Sequence, residues 1–179
     1  MNGDCTIDVD VSCPGWADAC LEVENLVRDA VRLALARGTH ALGLGWRGPV
    51  EVGITLAAAA DQQRLNRDYR GLDKSTNVLA FPVWRSGATL PEGAPVLLGD
   101  VVLALETVAN EAREQNKLLG NHISHLVVHG VLHLLGCDHQ TQAEAVMMES
   151  LETSILAELG VPDPYRDPIS SVEPAAPPL

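Results

Sequence analysis

Three histidines in the last third of the chain constrain its fold more than any other feature. His129 and His133 are four residues apart, so on a helix they lie on one face, one turn apart. Gly136 follows three residues later, where a helix can end in a left-handed turn that reverses the chain, and His139 then comes back towards the first two. This His-x-x-x-His-x-x-Gly-x-x-His spacing is typical of one large class of zinc sites. The sequence therefore predicts a metal site at the end of a helix.

The predicted ligands are the neutral imidazoles of His129, His133 and His139. A set of three nitrogens suits zinc or another late divalent metal, and it leaves one coordination position open for water. An open position distinguishes a catalytic metal site from a structural one. We therefore expect one Zn²⁺ per chain, in a catalytic role.

The residues beside the histidines narrow the chemistry. In zinc proteases with this spacing, a glutamate that serves as general base follows the first histidine. Here that residue is Gly130, which disfavours peptide hydrolysis. Asp138 either accepts a hydrogen bond from a ligand imidazole or caps the next helix. We expect His122 and His125 to support the ligands or to lie at the surface, and Cys137 to pack.

The charge pattern points to a substrate that carries phosphate. The chain has 12 Lys and Arg against 24 Asp and Glu, a net charge of −12, which argues against broad adhesion to nucleic acid or to an anionic membrane. Residues 62–77 reverse this balance, with four basic and two acidic side chains. Arg70 is the candidate catalytic residue, because a planar guanidinium suits a phosphate. Lys74 and Arg67 are candidates for substrate binding, although a solvated helix face also explains Arg67.

Apolar periodicity predicts strands mixed with helices. Alternating apolar residues over 6–12 indicate a strand with one buried face. Helical spacing indicates a helix over 16–37 that stops at Gly38, and a helical region over 106–135 that is broken near Gly120. The pattern favours an α+β fold in α/β layers, with a small mixed sheet packed against helices and the metal site at the end of one helix.

The chain is predicted to form one domain followed by a tail. Residues 1–160 contain no repeat and no linker, so we assign them to a single metal-dependent domain. Residues 161–179 hold six prolines and are predicted to be disordered. With neither a secretory signal nor a transmembrane segment visible, the expected location is the cytoplasm. The chain has only one Phe, two Tyr and three Trp, so we do not expect an aromatic platform on which bases could stack.

Three stretches of the chain carry a family pattern. They are LNRDYRG (65–71) leading into TNVLAFP (76–82), LGDVV (98–102), and HLVVHG (125–130) continuing to His139. These stretches resemble the YbeY endoribonucleases, a family of bacterial rRNA maturation factors. The sequence departs from that family at Leu72 and Ser75, where a basic residue and a proline are usual.

The resemblance implies a single-strand-specific, metal-dependent endoribonuclease that acts in 16S rRNA 3′-end maturation and ribosome quality control. It implies that His129, His133 and His139 bind the metal and that Arg70 is functionally important. The implied partners are rRNA and the small ribosomal subunit, with neither DNA nor a membrane. An alternative is a ribosome-assembly factor with a mainly structural zinc site and little nuclease activity, which the low basic content favours. The attacking group is either a 2′-hydroxyl or a metal-bound water, and no oligomeric state is predicted.

Overall fold

The computed structural model describes residues 4–85 and 90–166, and in this part of the chain it contains four strands and six helices. In chain order these elements are β1 (Cys5–Asp10), α1 (Gly15–Ala19), α2 (Val23–Ala41), β2 (Val50–Ala57), α3 (Ala59–Arg70), β3 (Val78–Pro82), β4 (Val96–Ala104), α4 (Leu105–Glu114), α5 (Leu119–Leu134) and α6 (Gln142–Glu158).

The four strands form one mixed sheet in the order β1-β2-β4-β3. β1, β2 and β4 are parallel, and β3 pairs with β4 in the antiparallel direction. A parallel pair needs a crossover connection, which α1 and α2 supply between β1 and β2. The predicted α+β class and the small mixed sheet packed against helices are therefore confirmed.

Helix α5 lies at the centre of the packing. It contacts α2, α4 and α6 as well as β3 and β4, and its apolar side chains are buried around most of its circumference. A helix that is apolar on nearly all sides belongs in a core. None of the helices within the described ranges combines the length and the apolarity needed to cross a bilayer. The helix that carries the first two histidines of the metal motif is thus held from several directions.

The N-terminal helical region differs from its prediction. It forms two helices instead of one, because Glu22 adopts a left-handed conformation with φ of 60° between α1 and α2. Gly38 does not end α2, which continues to Ala41. A Cβ at Gly38 would lie 2.5 Å from Leu135 Cδ1, so this glycine allows α2 to pack closely on the end of α5. The break in the second helical region falls at residues 115–118, just before Gly120.

The packed body extends beyond the predicted domain end. Val161 packs against the main core, and Lys117 Nζ donates a hydrogen bond to the carbonyl oxygen of Pro164 at 3.0 Å. Tyr165 places its hydroxyl group against a buried carboxylate of α6. Residues 161–166, which the prediction assigns to the tail, thus find partners on the packed body. Residues 167–179 of the predicted tail lie outside the described residues.

A bulge in β4 shapes the sheet edge. The pairing of β2 with β4 shifts register between Glu51 and Val52, opposite Leu97 and Gly99. Gly99 has φ of 124°, and a Cβ there would lie 2.1 Å from the carbonyl oxygen of Phe81. Only glycine combines this backbone conformation with so close an approach of the neighbouring strand. Gly99 therefore lets β3 bring Phe81 to its place at the edge.

We expect Gly99→Ala to lower the free energy of unfolding by about 3 kcal/mol, because the added Cβ meets backbone atoms and the φ angle disfavours any side chain. Gly71→Ala is the matched control. Gly71 has φ of 70° but no heavy atom within 4 Å of the added Cβ, so its cost should be only about 1 kcal/mol. Urea unfolding of both variants measures the loss of free energy of unfolding. Equal losses would contradict the claim that the close strand approach at Gly99 requires glycine.

Candidate metal centre

Helix α5 ends in a turn that returns the chain towards the helix. Gly136 has φ of 92°. Its N–H donates to the carbonyl oxygen of His133, and the N–H of Cys137 donates to that of Leu132, each at 3.0 Å. These two bonds form a Schellman motif, which favours glycine at the left-handed position. The predicted reversal at Gly136 is confirmed, and it carries His139 back to the helix end.

The turn brings the three predicted ligands together. One ring nitrogen from each of His129, His133 and His139 can be chosen so that all three lie within 4.8 Å of one another. The Nε2 atoms of His129 and His133 are 3.0 Å apart, and the ring of His139 lies 5.0 Å from that of His133 between centroids. The cluster is partly open, because His139 is exposed while the other two are half-buried. Three nitrogens that converge at an accessible position can hold one cation.

Hydrogen bonds on the far sides of two rings fix which nitrogen faces the cluster. His129 Nδ1 lies 2.6 Å from a carboxylate oxygen of Glu152, and His133 Nδ1 lies 2.9 Å from the carbonyl oxygen of Cys137. Both partners accept, so each Nδ1 donates, and each Nε2 is the nitrogen that faces the cluster. When both rings are neutral, these two Nε2 atoms, 3.0 Å apart, present lone pairs to each other and can share a cation. Two ligands of a tetrahedral zinc ion lie about 3.3 Å apart, so these residues fit zinc.

The titration behaviour of the cluster also suits a metal. Burial, reinforced by the neighbouring rings of His129 and His139, lowers the pKa of His133 to about 4. His133 is therefore neutral near pH 7, as a ligand must be. Burial raises the pKa of the Cys137 thiol to about 11, and the charge of Glu152 adds to the effect. Cys137 thus stays protonated and packs in the core, as predicted.

Glu152 of α6 is not among the residues that the sequence predicts for the site. Its side chain is fully buried, and it accepts hydrogen bonds from His129 Nδ1 and the Tyr165 hydroxyl group. His125 Nε2 lies 3.6 Å from its other oxygen. Burial by itself raises the pKa of Glu152, but the close approach of His125 and the hydrogen bonds from His129 and Tyr165 outweigh burial and lower it to about 2. An ionised carboxylate therefore lies directly behind one ligand.

A sequence signal for Glu152 does exist. Met148, Ile155 and Leu156 are the buried apolar residues of α6, and the helical repeat places position 152 on the same face. A glutamate at such a position is rarely buried unless it has a partner. A glutamate on the buried face of α6 therefore indicates a buried partner. The helical spacing alone does not identify His129 as that partner.

Asp138 takes neither of its two predicted roles. Its carboxylate accepts from the backbone N–H of His139 at 2.8 Å and from the side chain of Gln140 at 2.7 Å. The cap of α6 is Thr141, whose hydroxyl oxygen accepts from the N–H of Glu144 in a capping box. Thr141 begins the helix because it has the better position, three residues before a glutamate. Asp138 instead stabilises the turn that holds His139.

His122 and His125, which precede the candidate ligands on α5, lie behind the cluster. His125 faces Glu152, as described, while His122 Nε2 lies 2.9 Å from a carboxylate oxygen of Glu111. The same oxygen of Glu111 accepts from the side chain of Asn77 at 3.0 Å. Burial lowers the pKa of His122, and Glu111 opposes that effect only in part. His122 is thus a buried link between α5, α4 and the start of β3, not a surface residue.

A cleft of about 510 Å³ joins the histidine cluster to Arg70. Arg70 is the last residue of α3, and its Nη2 donates to the carbonyl oxygen of Ala80 at 3.0 Å. Its guanidinium carbon also lies 5.9 Å from the centre of the Phe81 ring. The lining residues are Arg70, Asn77, Val78, Ala80, Pro82, His129, Gly130, His133, Gly136, Cys137, Asp138 and His139. The predicted catalytic arginine and the predicted ligands therefore share one cleft.

The two predicted substrate-binding residues lie outside this cleft. Arg67 is exposed and pairs with Asp68, with 3.1 Å between Arg67 Nε and the carboxylate. Lys74 is exposed in the loop that follows α3. Neither residue is among those that line the cleft. Their charges lie on the surface near its arginine side.

Buried amides of α3 hold the loop between α3 and β3. The side-chain oxygen of Gln62 accepts from the N–H of Thr76 at 2.8 Å and from the Ser75 hydroxyl at 3.2 Å. Asn66 Nδ2 donates to the carbonyl oxygen of Lys74 at 2.7 Å. Ser75 therefore anchors the loop by hydrogen bonds at the position where the family usually has a proline.

Gly130, which stands where zinc proteases have a glutamate, also allows close packing of α5. A Cβ at this position would lie 2.6 Å from Val101 Cγ1 of β4. The missing side chain lets α5 lie against the sheet, and it leaves no room for the glutamate that proteases have here. Among the residues that line the cleft, Asp138 is the only one with a carboxylate.

The comparisons with known proteins identify the family. A sequence model of the family described as "Endoribonuclease YbeY" matches residues 19–160. The chain belongs to the YbeY endoribonuclease family. The resemblance inferred from the three sequence stretches is thereby confirmed.

Several curated relatives named "Endoribonuclease YbeY" are similar over most of their length. The protein from Paramagnetospirillum magneticum is 51% identical over 162 residues, which cover 90% of this chain and 96% of the relative. The protein from Rhodopseudomonas palustris is 52% identical over 148 residues, covering 83% and 86%. A solution structure of TM1509 from Thermotoga maritima has a TM-score of 0.54 at 22% identity, and the match covers 91% of this chain and 98% of that one. This last similarity supports the fold.

We expect Glu152→Gln to weaken zinc binding about tenfold or more, because a neutral amide no longer increases the basicity of His129. The substitution keeps the size of the side chain, so circular dichroism should show an unchanged fold. Glu149→Gln is the matched control, since Glu149 is an exposed carboxylate of the same helix. Competition with a chromophoric chelator measures both zinc affinities. Equal affinities in the two variants would rule out a role for Glu152 in metal binding.

Proposed function

We propose that this YbeY family member cleaves single-stranded RNA at the cleft, with one Zn²⁺ held by His129, His133 and His139. The observation that carries the proposal is that Arg70 and these histidines line the same cavity. A cation site beside a guanidinium matches a phosphodiester, whose oxygens accept from both. The names of the relatives, all endoribonucleases, agree with this substrate class and do not favour the alternative of an assembly factor with a structural zinc site.

Residues behind the histidines orient the rings that would bind the metal. When bound, the metal supplies a Lewis acid that polarises the phosphate and lowers the pKa of bound water. His129 and His133 are each oriented from behind, by Glu152 and by the carbonyl oxygen of Cys137. Such support keeps the two ring nitrogens in place without reorganisation, which is what preorganised catalysis requires.

Arg70 is placed to stabilise negative charge on the phosphate. One of its Nη2 donors is used by the carbonyl oxygen of Ala80, and the guanidinium has five donors in all. The bond to the strand fixes the direction of the planar group, while other donors stay available to the cleft. A fixed donor is worth most in the transition state, where the charge on the phosphoryl oxygens increases.

Charges outside the cleft would attract the rest of the strand. We propose that Lys74 and Arg67 contact phosphates beyond the scissile one, with salt screening these contacts. A chain of net charge −12 has little affinity for RNA elsewhere on its surface. Following the resemblance to the YbeY endoribonucleases, we propose that the substrate is rRNA presented on the small ribosomal subunit, at the 3′ end of 16S rRNA, in the cytoplasm.

Arg70→Ala should lower kcat for a single-stranded RNA about 100-fold or more, because it removes charge stabilisation in the transition state. Bound zinc should stay at the wild-type level, since Arg70 contacts none of the histidines. Arg64→Ala is the matched control: Arg64 lies on the same helix and pairs with Asp61 at the surface. Cleavage rates and zinc content of one preparation test the proposal.

Two results of this experiment would contradict the assignment of Arg70. Loss of zinc from Arg70→Ala would mean that the arginine supports the metal site instead of the substrate. Equal rates for Arg70→Ala and Arg64→Ala would mean that the guanidinium does not contact the reacting phosphate.

A further inference from the structure

A second groove of about 640 Å³ lies beside the cleft. The two cavities share Arg70, Ala80 and Pro82 as lining residues. An RNA strand that passes the histidine cluster and Arg70 would therefore continue into this groove. The rest of its lining includes Thr55, Leu65, Tyr69, Phe81, Val83 and Asp100.

Two aromatic rings meet in this groove. Tyr69 is the residue before Arg70 and is 74% exposed. Its ring lies 5.6 Å from that of Phe81 between centroids, at an interplanar angle of 63°. The guanidinium of Arg70 lies over the Phe81 ring. The chain has few aromatic residues, so the sequence predicts no aromatic platform, yet the fold gathers two rings beside the arginine of the candidate active site.

Away from Arg70, the lining of the groove suits a base and not a phosphate. Leu65, Val83 and the two rings are apolar, whereas Thr55 and Asp100 add polar groups. The Asp100 carboxylate repels a phosphate, but it can accept from the amino group of a base. Bases stack on exposed aromatic rings with little regard to sequence, because every base has a flat face. A duplex would not fit, since its bases are already stacked on each other.

We propose that this groove binds one unpaired base of the RNA strand, stacked on Tyr69, while the adjoining phosphate meets Arg70. The inference rests on the proposed function, and it identifies a physical source for single-strand selectivity. The rings of Tyr69 and Phe81 receive the base only when the strand is free to turn it outwards. A base-paired strand cannot make this contact unless the base first unpairs, which costs free energy.

The test uses a single-stranded oligonucleotide of about ten nucleotides, protected from cleavage by 2′-O-methyl groups and carrying 2-aminopurine at one position at a time. Stacking quenches the fluorescence of 2-aminopurine. With the zinc-loaded full chain, we expect strong quenching at one position near the scissile phosphate. Tyr69→Phe should retain this signal, because it keeps the ring. Tyr69→Ala should abolish the signal and weaken binding about tenfold.

Leu21→Ala is the matched control, because Leu21 is also highly exposed and lines neither cavity. Tyr69 is mostly exposed, so its variants should fold normally. Unchanged quenching and affinity in Tyr69→Ala, in a protein that still cleaves the unmodified RNA, would overturn this inference and leave the proposed function standing. A wild-type chain that neither binds nor cleaves RNA would overturn both.

Discussion

The close packing of helix α5 on the sheet is the constraint on which the site depends. Gly130 brings the helix against Val101 of β4, and Gly38 brings α2 against Leu135 at the helix end. Both contacts are so close that a side chain would prevent them. They fix the height of α5 above the sheet, and hence the distance between its histidines and the arginine at the end of α3. A cleft that needs groups from a helix end and from a separate sheet edge requires such rigid placement.

Buried electrostatics then hold the ligands in position. A fully buried carboxylate is costly unless it is hydrogen-bonded, and Glu152 meets that condition with His129 and Tyr165. Its negative charge lies behind the imidazole of His129, where it would partly balance a divalent cation. Tyr165 comes from the proline-rich segment that follows α6, so this segment contributes to the support of the histidine cluster.

The local parts of the site can be predicted from the sequence, because they depend on spacing along one helix and its turn. His129, His133, Gly136 and His139 lie within eleven residues, and helix geometry relates them without reference to the rest of the fold. Arg70 can be proposed from its charge in the basic stretch of residues 62–77, although its distance from the histidines depends on the sheet. The alternation and spacing of apolar residues likewise predict most strands and helices.

The parts that the sequence does not predict are tertiary contacts. Glu152 reaches His129 across 23 residues, and only the packing of α6 on α5 determines that partner. Gly38 resembles a helix stop in sequence, but the closeness of a neighbouring helix, which no local pattern records, gives it a different role. Tyr69 and Phe81 form a pair because the loop between α3 and β3 folds back, so composition alone understates the aromatic surface.

The measurement that tests the central claim most directly is zinc content and cleavage of a single-stranded RNA on one preparation, for wild type, His133→Ala and His40→Ala. His40 is an exposed histidine outside the cluster. The account predicts about one zinc per chain and cleavage in wild type and His40→Ala, and a folded His133→Ala protein with neither. A wild-type chain that holds zinc but leaves RNA intact across salt concentrations, or a zinc-free His133→Ala variant that cleaves normally, would contradict the account.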